Sequence, residues 1–201
     1  MIALIDYGMG NLRSVEKALQ HVGGKVRMIK TADELIHADR AVLPGVGAFA
    51  DCMRNLKKQK LIDPLKSFIQ SGRPFLGICL GYQALFEYSE EGERVDGLGI
   101  FKGEVVHFPD FDLKVPQIGW NQIQIKKTTC PILRNIENGT YVYFVHSYFP
   151  HPQDTSLICA QTVYGIPFAS MIWKNNIFAC QFHPEKSQAV GLKMLENFVS
   201  L

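Results

Sequence analysis

Four short strand-like runs, IALID at 2–6, KVRMIK at 25–30, AVLP at 41–44 and PFLGIC at 74–79, are separated by stretches with helical periodicity. Of these stretches, NLRSVEKALQHV follows Gly8 and Gly10 and ends at Gly23-Gly24, and FADCMRNLKKQKLIDPLKSFIQSG carries a break near Pro64. Strands separated by helices of this length pair in parallel, with helices on both faces of one sheet. The stretch FLGICLGYQALFEY, 75–88, starts as such a strand and is predicted to continue as an amphipathic helix.

From about residue 100 the pattern changes. GEVVHF, WNQIQIKK, TYVYFVHSYF, LICAQTVY, FASMIWKN and IFACQF follow one another across short turns, and SQAVGLKMLENFVS closes the chain as a helix. The expected fold is therefore α/β: a mostly parallel open sheet with helices on both faces and a β-rich antiparallel extension in the second half. No repeat, low-complexity tract or Pro/Gly/Ser linker interrupts it, so residues 1–201 read as one domain.

Bulk properties narrow the classes. A formal charge of +2 without a basic stripe gives no nucleic-acid footprint, and the basic run KKQK at 57–60 suits a solvated helix face. No apolar run reaches the ~18 residues that a membrane span needs, and MIALIDYGMGN lacks the basic and apolar regions of a signal peptide. Five scattered cysteines, at 52, 79, 130, 159 and 180, do not form a disulfide framework, which suggests a reducing, cytoplasmic setting.

Three motifs carry chemistry. Cys79 sits between Gly77 and Gly81 where a strand turns into a helix. Such a turn projects a nucleophile from the sheet, small neighbours relieve crowding, and helix N-terminal N–H groups favour an anion there. A buried packing cysteine in a tight turn is the plain alternative. In CQFHPEKS, His183 and Glu185 are two residues apart, so in extended chain both project to one side and the carboxylate can orient the imidazole. Read alone, the pair could be idle surface residues. Cys180 and His183, three apart, face opposite ways in a strand, and no second pair is visible, so no metal is expected. In PGVGAF, 44–49, glycines flank Val46 and free backbone N–H groups to face a neighbouring site, although a simple Gly-rich turn reads the same way.

PGVGAF, GICLGYQ and FHPEKS, in that order and spacing, resemble the class I (triad) glutamine amidotransferase family. DYGMGN, PQIGWN and YFVHSY make the chain most similar, within that family, to glutaminase subunits of the imidazole glycerol phosphate synthase branch. The resemblance runs over essentially the whole chain. It implies Cys79 as nucleophile, His183 as general base and acid, and Glu185 as the group orienting it. It implies an oxyanion hole from backbone N–H groups of Val46 or Gly47 and of Leu80. Gln83, His146, Ser147 and Tyr148 match positions that hold substrate L-glutamine, and Asn11, Trp120, Tyr143 and Lys186 match positions near a partner subunit. That partner would be a cyclase with a (β/α)8 barrel, forming a heterodimer that takes up the released ammonia for histidine biosynthesis. No cofactor is implied.

Trp120 and the alternating Tyr141, Tyr143 and Phe149 also suit a half-buried strand, and the other four cysteines suit packing. Another small amidotransferase, a solitary thiol hydrolase and a non-enzymatic α/β binding module are the competing readings. The flexibility of the two glycines around Val46 further predicts a peptide flip that keeps the isolated chain nearly silent until the partner's ligand completes the oxyanion hole.

Overall fold

In the computed structural model, which describes residues 1–110 and 113–201, the early strands align in parallel, and all but the second are buried almost throughout on both faces. In β1 (Ile2–Ile5), Ala3 and Ile5 pack into one core and Ile2 and Leu4 into the other. Between it and β2 (Val26–Ile29) runs α1 (Leu12–His21), and α2 (Ala32–Ile36) leads into β3 (Arg40–Gly45). Next come α3 (Phe49–Lys58), α4 (Ile62–Gln70), β4 (Phe75–Cys79) and α5 (Leu80–Gln83). The five-residue α2 is too short for a periodicity signal, which is why the sequence reading does not contain it.

The helices divide between the two faces. Phe49, Cys52, Met53 and Leu56 of α3, spaced as one helical stripe, join Leu65, Phe68 and Ile69 of α4 in the first core. Val15, Ala18 and Leu19 of α1 pack with Met194, Leu195 and Phe198 of the last helix, α6 (Gln188–Val199), in the second. The break between α3 and α4 falls at Gln59–Leu61, where Lys60 has φ 56°, and not at Pro64. Pro64 lies in the first turn of α4, where its missing N–H leaves no helical bond unmade.

The second half adds β5 (Tyr88–Ser89), β6 (Val95–Asp96), β7 (Gly103–His107), β8 (Gln117–Gln122) and β9 (Gln124–Ile125). Then follow β10 (Tyr141–His146), β11 (Tyr148–Pro152), β12 (Ile158–Tyr164), β13 (Ile166–Lys174) and β14 (Ile177–Cys180). The main sheet has the order β2-β1-β3-β4-β14-β13-β12-β9. It is parallel from β2 to β14 and antiparallel beyond. Strands β11-β7-β5-β6 form a second sheet and β10-β8 a two-stranded ribbon. TYVYFVHSYF, a single run in the sequence, thus breaks at Ser147 and serves two sheets.

The predicted amphipathic helix after Cys79 is corrected: α5 is four residues long and buried on every side. Its packing explains the flanking glycines. A Cβ on Gly81 would overlap the Leu43 carbonyl of β3, and one on Gly77 would sit 2.8 Å from the Gly81 carbonyl oxygen. Strand and helix approach so closely that neither position tolerates a side chain.

Gly81→Ala should therefore lower stability by about 3 kcal/mol or more, the range of severe core overpacking. Gly72→Ala, at φ +79° with open space around it, should cost only ~1–2 kcal/mol of left-handed backbone strain. Urea unfolding midpoints of the two variants check this; similar losses would contradict the close-approach account.

Candidate active site

Register brings the carboxyl ends of three neighbouring parallel strands together: Gly45 of β3 lies opposite Cys79 of β4, and Cys180 of β14 opposite Ile78. Open parallel sheets bind ligands outside these strand ends. Cys79 adopts φ 54°, ψ −107°, a conformation that a non-glycine residue holds only when its surroundings enforce it. Here the Gly77–Gly81–Leu43 contact enforces it. With only four residues, α5 supplies little macrodipole, so the expected helix-end field at the sulfur reduces to a few local N–H groups. One belongs to Leu80, which opens α5 and has no intrahelical acceptor for its N–H.

Val46 and Gly47 follow β3 directly and line a cleft of about 430 Å³ together with Cys79, Leu80, Gln83, Glu91, Pro116, Val145 and Lys186. His146, Ser147 and Tyr148 line it too. Gly45 lets this turn touch the elbow: a Cβ there would overlap the Tyr7 hydroxyl and sit 2.8 Å from Leu80 Cβ. A larger groove of about 680 Å³, bordered by Met53, Arg54, Lys57 and Ile62, shares no residue with the cleft.

His183 and Glu185 meet as a buried pair, with Nδ1 to Oε1 at 2.8 Å and side chains 2% and 1% exposed. Burial by itself lowers the basicity of His183. Its interactions with the Cys79 and Glu185 side chains outweigh that effect and raise its pKa to about 10. Nε2, the nitrogen left by Glu185, makes no hydrogen bond among the described residues. An imidazolium held this way can hand over a proton from Nε2 while Nδ1 stays fixed.

The backbone of His183 is clamped as firmly. Its N–H donates to the Tyr143 carbonyl at 2.9 Å, and the buried Ser187 hydroxyl donates to its carbonyl at 2.7 Å while accepting the Tyr143 N–H at 3.0 Å. Ser187 escaped the sequence reading, although it is the last residue of FHPEKS. Gln181 escaped it as well. Fully buried, it donates from Nε2 to the Cys79 sulfur at 3.6 Å, and its position two residues before His183 in an extended segment was the available signal.

The remaining cleft residues divide by role. Gln83 Nε2 donates to the Tyr148 carbonyl at 2.9 Å and to Gln181 Oε1 at 3.2 Å. His146 is packed among Phe108, Phe144 and Phe168, and burial lowers its pKa to about 4. Neutral at physiological pH, it donates from Nδ1 to the same Tyr148 carbonyl at 2.9 Å and must accept at Nε2. The Gln117 amide 2.9 Å away satisfies that nitrogen when it presents its NH2 end, which also gives the otherwise unpaired Gln117 Nε2 a partner. Ser147 contributes the break between two sheets. Glu91, not singled out by the sequence, accepts the Phe49 N–H at 2.7 Å and brings a carboxylate to the cleft.

Trp120 and Tyr143 pair across β8 and β10 with ring centroids 6.0 Å apart, and Lys186 Nζ lies 5.7 Å over the Tyr143 ring. Ile118, Trp120 and Tyr141, at 63%, 45% and 55% exposed, make this ribbon an apolar outer surface. Asn11 is exposed at the start of α1 and makes no capping bond with its side chain. Among the described residues no group of three or more His, Cys, Asp or Glu is arranged to hold a metal ion, and no helix is long and apolar enough to cross a membrane.

The sequence profile described as glutamine amidotransferase class-I matches residues 3–201. The chain is 52% identical over 198 residues to imidazole glycerol phosphate synthase subunit HisH of Caldanaerobacter subterraneus subsp. tengcongensis, covering 98% of this chain and 97% of that one. It is 52% identical to the protein of the same name from Aquifex aeolicus, over 97% and 94% of the two chains. Among solved structures, a glutamine amidotransferase crystal structure superposes with a TM-score of 0.77 at 14% identity, covering 100% of this chain and 99% of that one. The structure of PurLQS from Thermotoga maritima does so with 0.77 at 17%, over 99% and 97%. At such identities the solved structures speak for the fold.

Glu185→Gln removes an anion that holds the proton on His183, so the imidazolium should be lost at lower pH. Wild-type His183 stays protonated until the pH rises through about 10. The alkaline limb of the pH–rate profile should move to lower pH in the variant, with kcat falling ~10–100-fold as for lost orienting partners. An alkaline limb that stays in place would refute the role of the carboxylate.

Proposed function

The chain belongs to the class-I glutamine amidotransferase family, and we propose that it acts as the glutaminase subunit of an imidazole glycerol phosphate synthase, with Cys79, His183 and Glu185 as its catalytic triad. The observation that carries the reading is the buried His183–Glu185 pair, whose imidazole interacts with the side chain of a strained, glycine-flanked Cys79 at the wall of a cleft. Identity of about half to HisH proteins along nearly the full length supports the same conclusion.

L-Glutamine enters the cleft. Glu91 suits its α-ammonium group by charge, and Gln83, Ser147 and Tyr148 supply polar atoms around it. The Cys79 thiolate, paired with the His183 imidazolium, attacks the side-chain carbonyl carbon. The resulting oxyanion is stabilised by the N–H of Leu80 and that of Val46 or Gly47, each such donor being typically worth ~3–4 kcal/mol. His183 gives its Nε2 proton to the departing ammonia, leaving a γ-glutamyl thioester. Water then adds to the thioester with His183 as base, and collapse of the adduct releases glutamate and restores the thiolate–imidazolium pair. His146, neutral and bonded at both nitrogens, takes no part in proton transfer and holds the Tyr148 segment instead.

Ammonia passes to a cyclase subunit with a (β/α)8 barrel, bound through the ribbon bearing Trp120, Tyr143 and Lys186, with Asn11 at its margin. The exposed apolar surface on that ribbon supports a docking face there. The His183 N–H donates to Tyr143 of the same ribbon, so docking bears directly on the catalytic histidine.

Cys79→Ala should abolish glutamine-dependent synthesis by the assembled enzyme while leaving ammonium-dependent synthesis intact, and should remove covalent labelling by a glutamine analogue in mass spectra. Glutaminase activity retained in that variant would overturn the nucleophile assignment. Gly47 holds φ +103°, a conformation that disfavours β-branched side chains. Gly47→Val should therefore shift the resting balance of this turn and blunt the stimulation of glutaminase by the partner and its nucleotide substrate. Full activity in the isolated wild-type chain, unchanged by the partner, would sink the switch and leave the triad standing.

A further inference from the structure

We propose that Gln181 is a catalytic hydrogen-bond donor to the reacting sulfur, and that Gln83 fixes it in the donating orientation; this rests on the reading of Cys79 as the nucleophile. The observation is a relay of amides beneath the cleft. Tyr148 C=O and Gln181 Oε1 each accept a hydrogen from Gln83 Nε2, at 2.9 and 3.2 Å, and Gln181 Nε2 donates to Cys79 Sγ at 3.6 Å. An amide can point either its oxygen or its nitrogen at a neighbour. Because both Gln83 hydrogens are committed to carbonyl oxygens, the near end of Gln181 must be its oxygen, and the end facing sulfur must be NH2.

Burial makes this orientation consequential. Gln181 is 0% exposed, Gln83 4% and Cys79 5%, so no bulk water competes for the sulfur on that side. Besides Gln181, the sulfur has a contact with the Val145 carbonyl, an acceptor, at 4.0 Å. A carbonyl can take a thiol hydrogen but offers nothing to a thiolate. The Gln181 amide does the reverse: it favours negative charge on sulfur and grows stronger as the proton leaves. With α5 only four residues long, this side-chain donor takes on work that a longer helix dipole would share.

The same bond serves both halves of the reaction. In the first, it stabilises the attacking thiolate. In the second, it stabilises that thiolate as the leaving group when the tetrahedral adduct of water and thioester collapses, the C–S electron pair returning to sulfur. Since Gln83 also lines the cleft, a substrate that touches Gln83 biases the amide pointed at the nucleophile.

The test compares Gln181→Glu and Gln181→Met with wild type in the full enzyme, reading kcat, KM and the rate of Cys79 alkylation by iodoacetamide mapped by mass spectrometry. Gln181→Glu still accepts from Gln83 but places an anion where the donor was. Gln181→Met keeps the volume and removes both ends. Alkylation of Cys79 and kcat should fall about 10- to 100-fold in Gln181→Glu, on the scale of a hydrogen bond to a charged group, with KM nearly unchanged. Gln181→Met should fall less, because it removes the donor without adding repulsion. Adding Gln83→Ala to Gln181→Met should produce no further loss in alkylation, since the relay is already cut. Alkylation at the wild-type rate in folded Gln181→Glu, matched for thermal midpoint, overturns the role of Gln181 alone. Equal losses in Glu and Met variants also overturn it, as lost packing would explain both. Activity and glutamine-analogue labelling that persist in Cys79→Ala overturn this proposal together with the reading beneath it.

Discussion

The contact on which the rest of the molecule depends is backbone against backbone: Gly81 of α5 against the Leu43 carbonyl of β3, with Gly77 of β4 packed against Gly81. It pulls the chain from strand into helix within one residue, and Cys79 absorbs the turn at φ 54°. The strain is held in place by full burial of both elements. A cysteine in relaxed geometry would lie along the strand; this one projects into the cleft at the strand end.

Around that fixed point the cleft side chains are held by different means. His183 is oriented at its ring by Glu185 and at its backbone by Tyr143 and Ser187, so neither torsion nor translation is free. The sulfur faces Gln181 on a buried side and the cleft on the other. The turn after β3 comes close to the elbow only because Gly45 leaves room against Tyr7 and Leu80. Sheet ends thus carry Cys79 and the segment of His183, whereas the turn at Val46–Gly47 has a glycine at φ +103° and the freedom that goes with it.

One ribbon links inside and outside. Strand β10 carries the exposed Tyr141, the half-buried Tyr143 whose carbonyl holds His183, Val145 beside the sulfur, and His146 in its aromatic cage. The ribbon of β8 and β10 and His183 are therefore joined directly by a single hydrogen bond.

Much of this was written in the sequence because it is local. Continuous apolar runs such as IALI and FLGIC require burial on both faces, which implies parallel strands under helices, and glycines on either side of Cys79 mark a turn with no room for side chains. The two-residue spacing of His183 and Glu185 likewise permits their pairing within one segment. What depends on distant segments could not be read that way. The brevity of α5, the break of TYVYFVHSYF at Ser147 between two sheets, the clamp of Ser187 on Tyr143 and the reach of Gln181 to a sulfur 102 residues away all depend on contacts between segments far apart in the chain. Sequence spacing fixes which side a residue faces within its own element; only the folded sheet decides what stands opposite it.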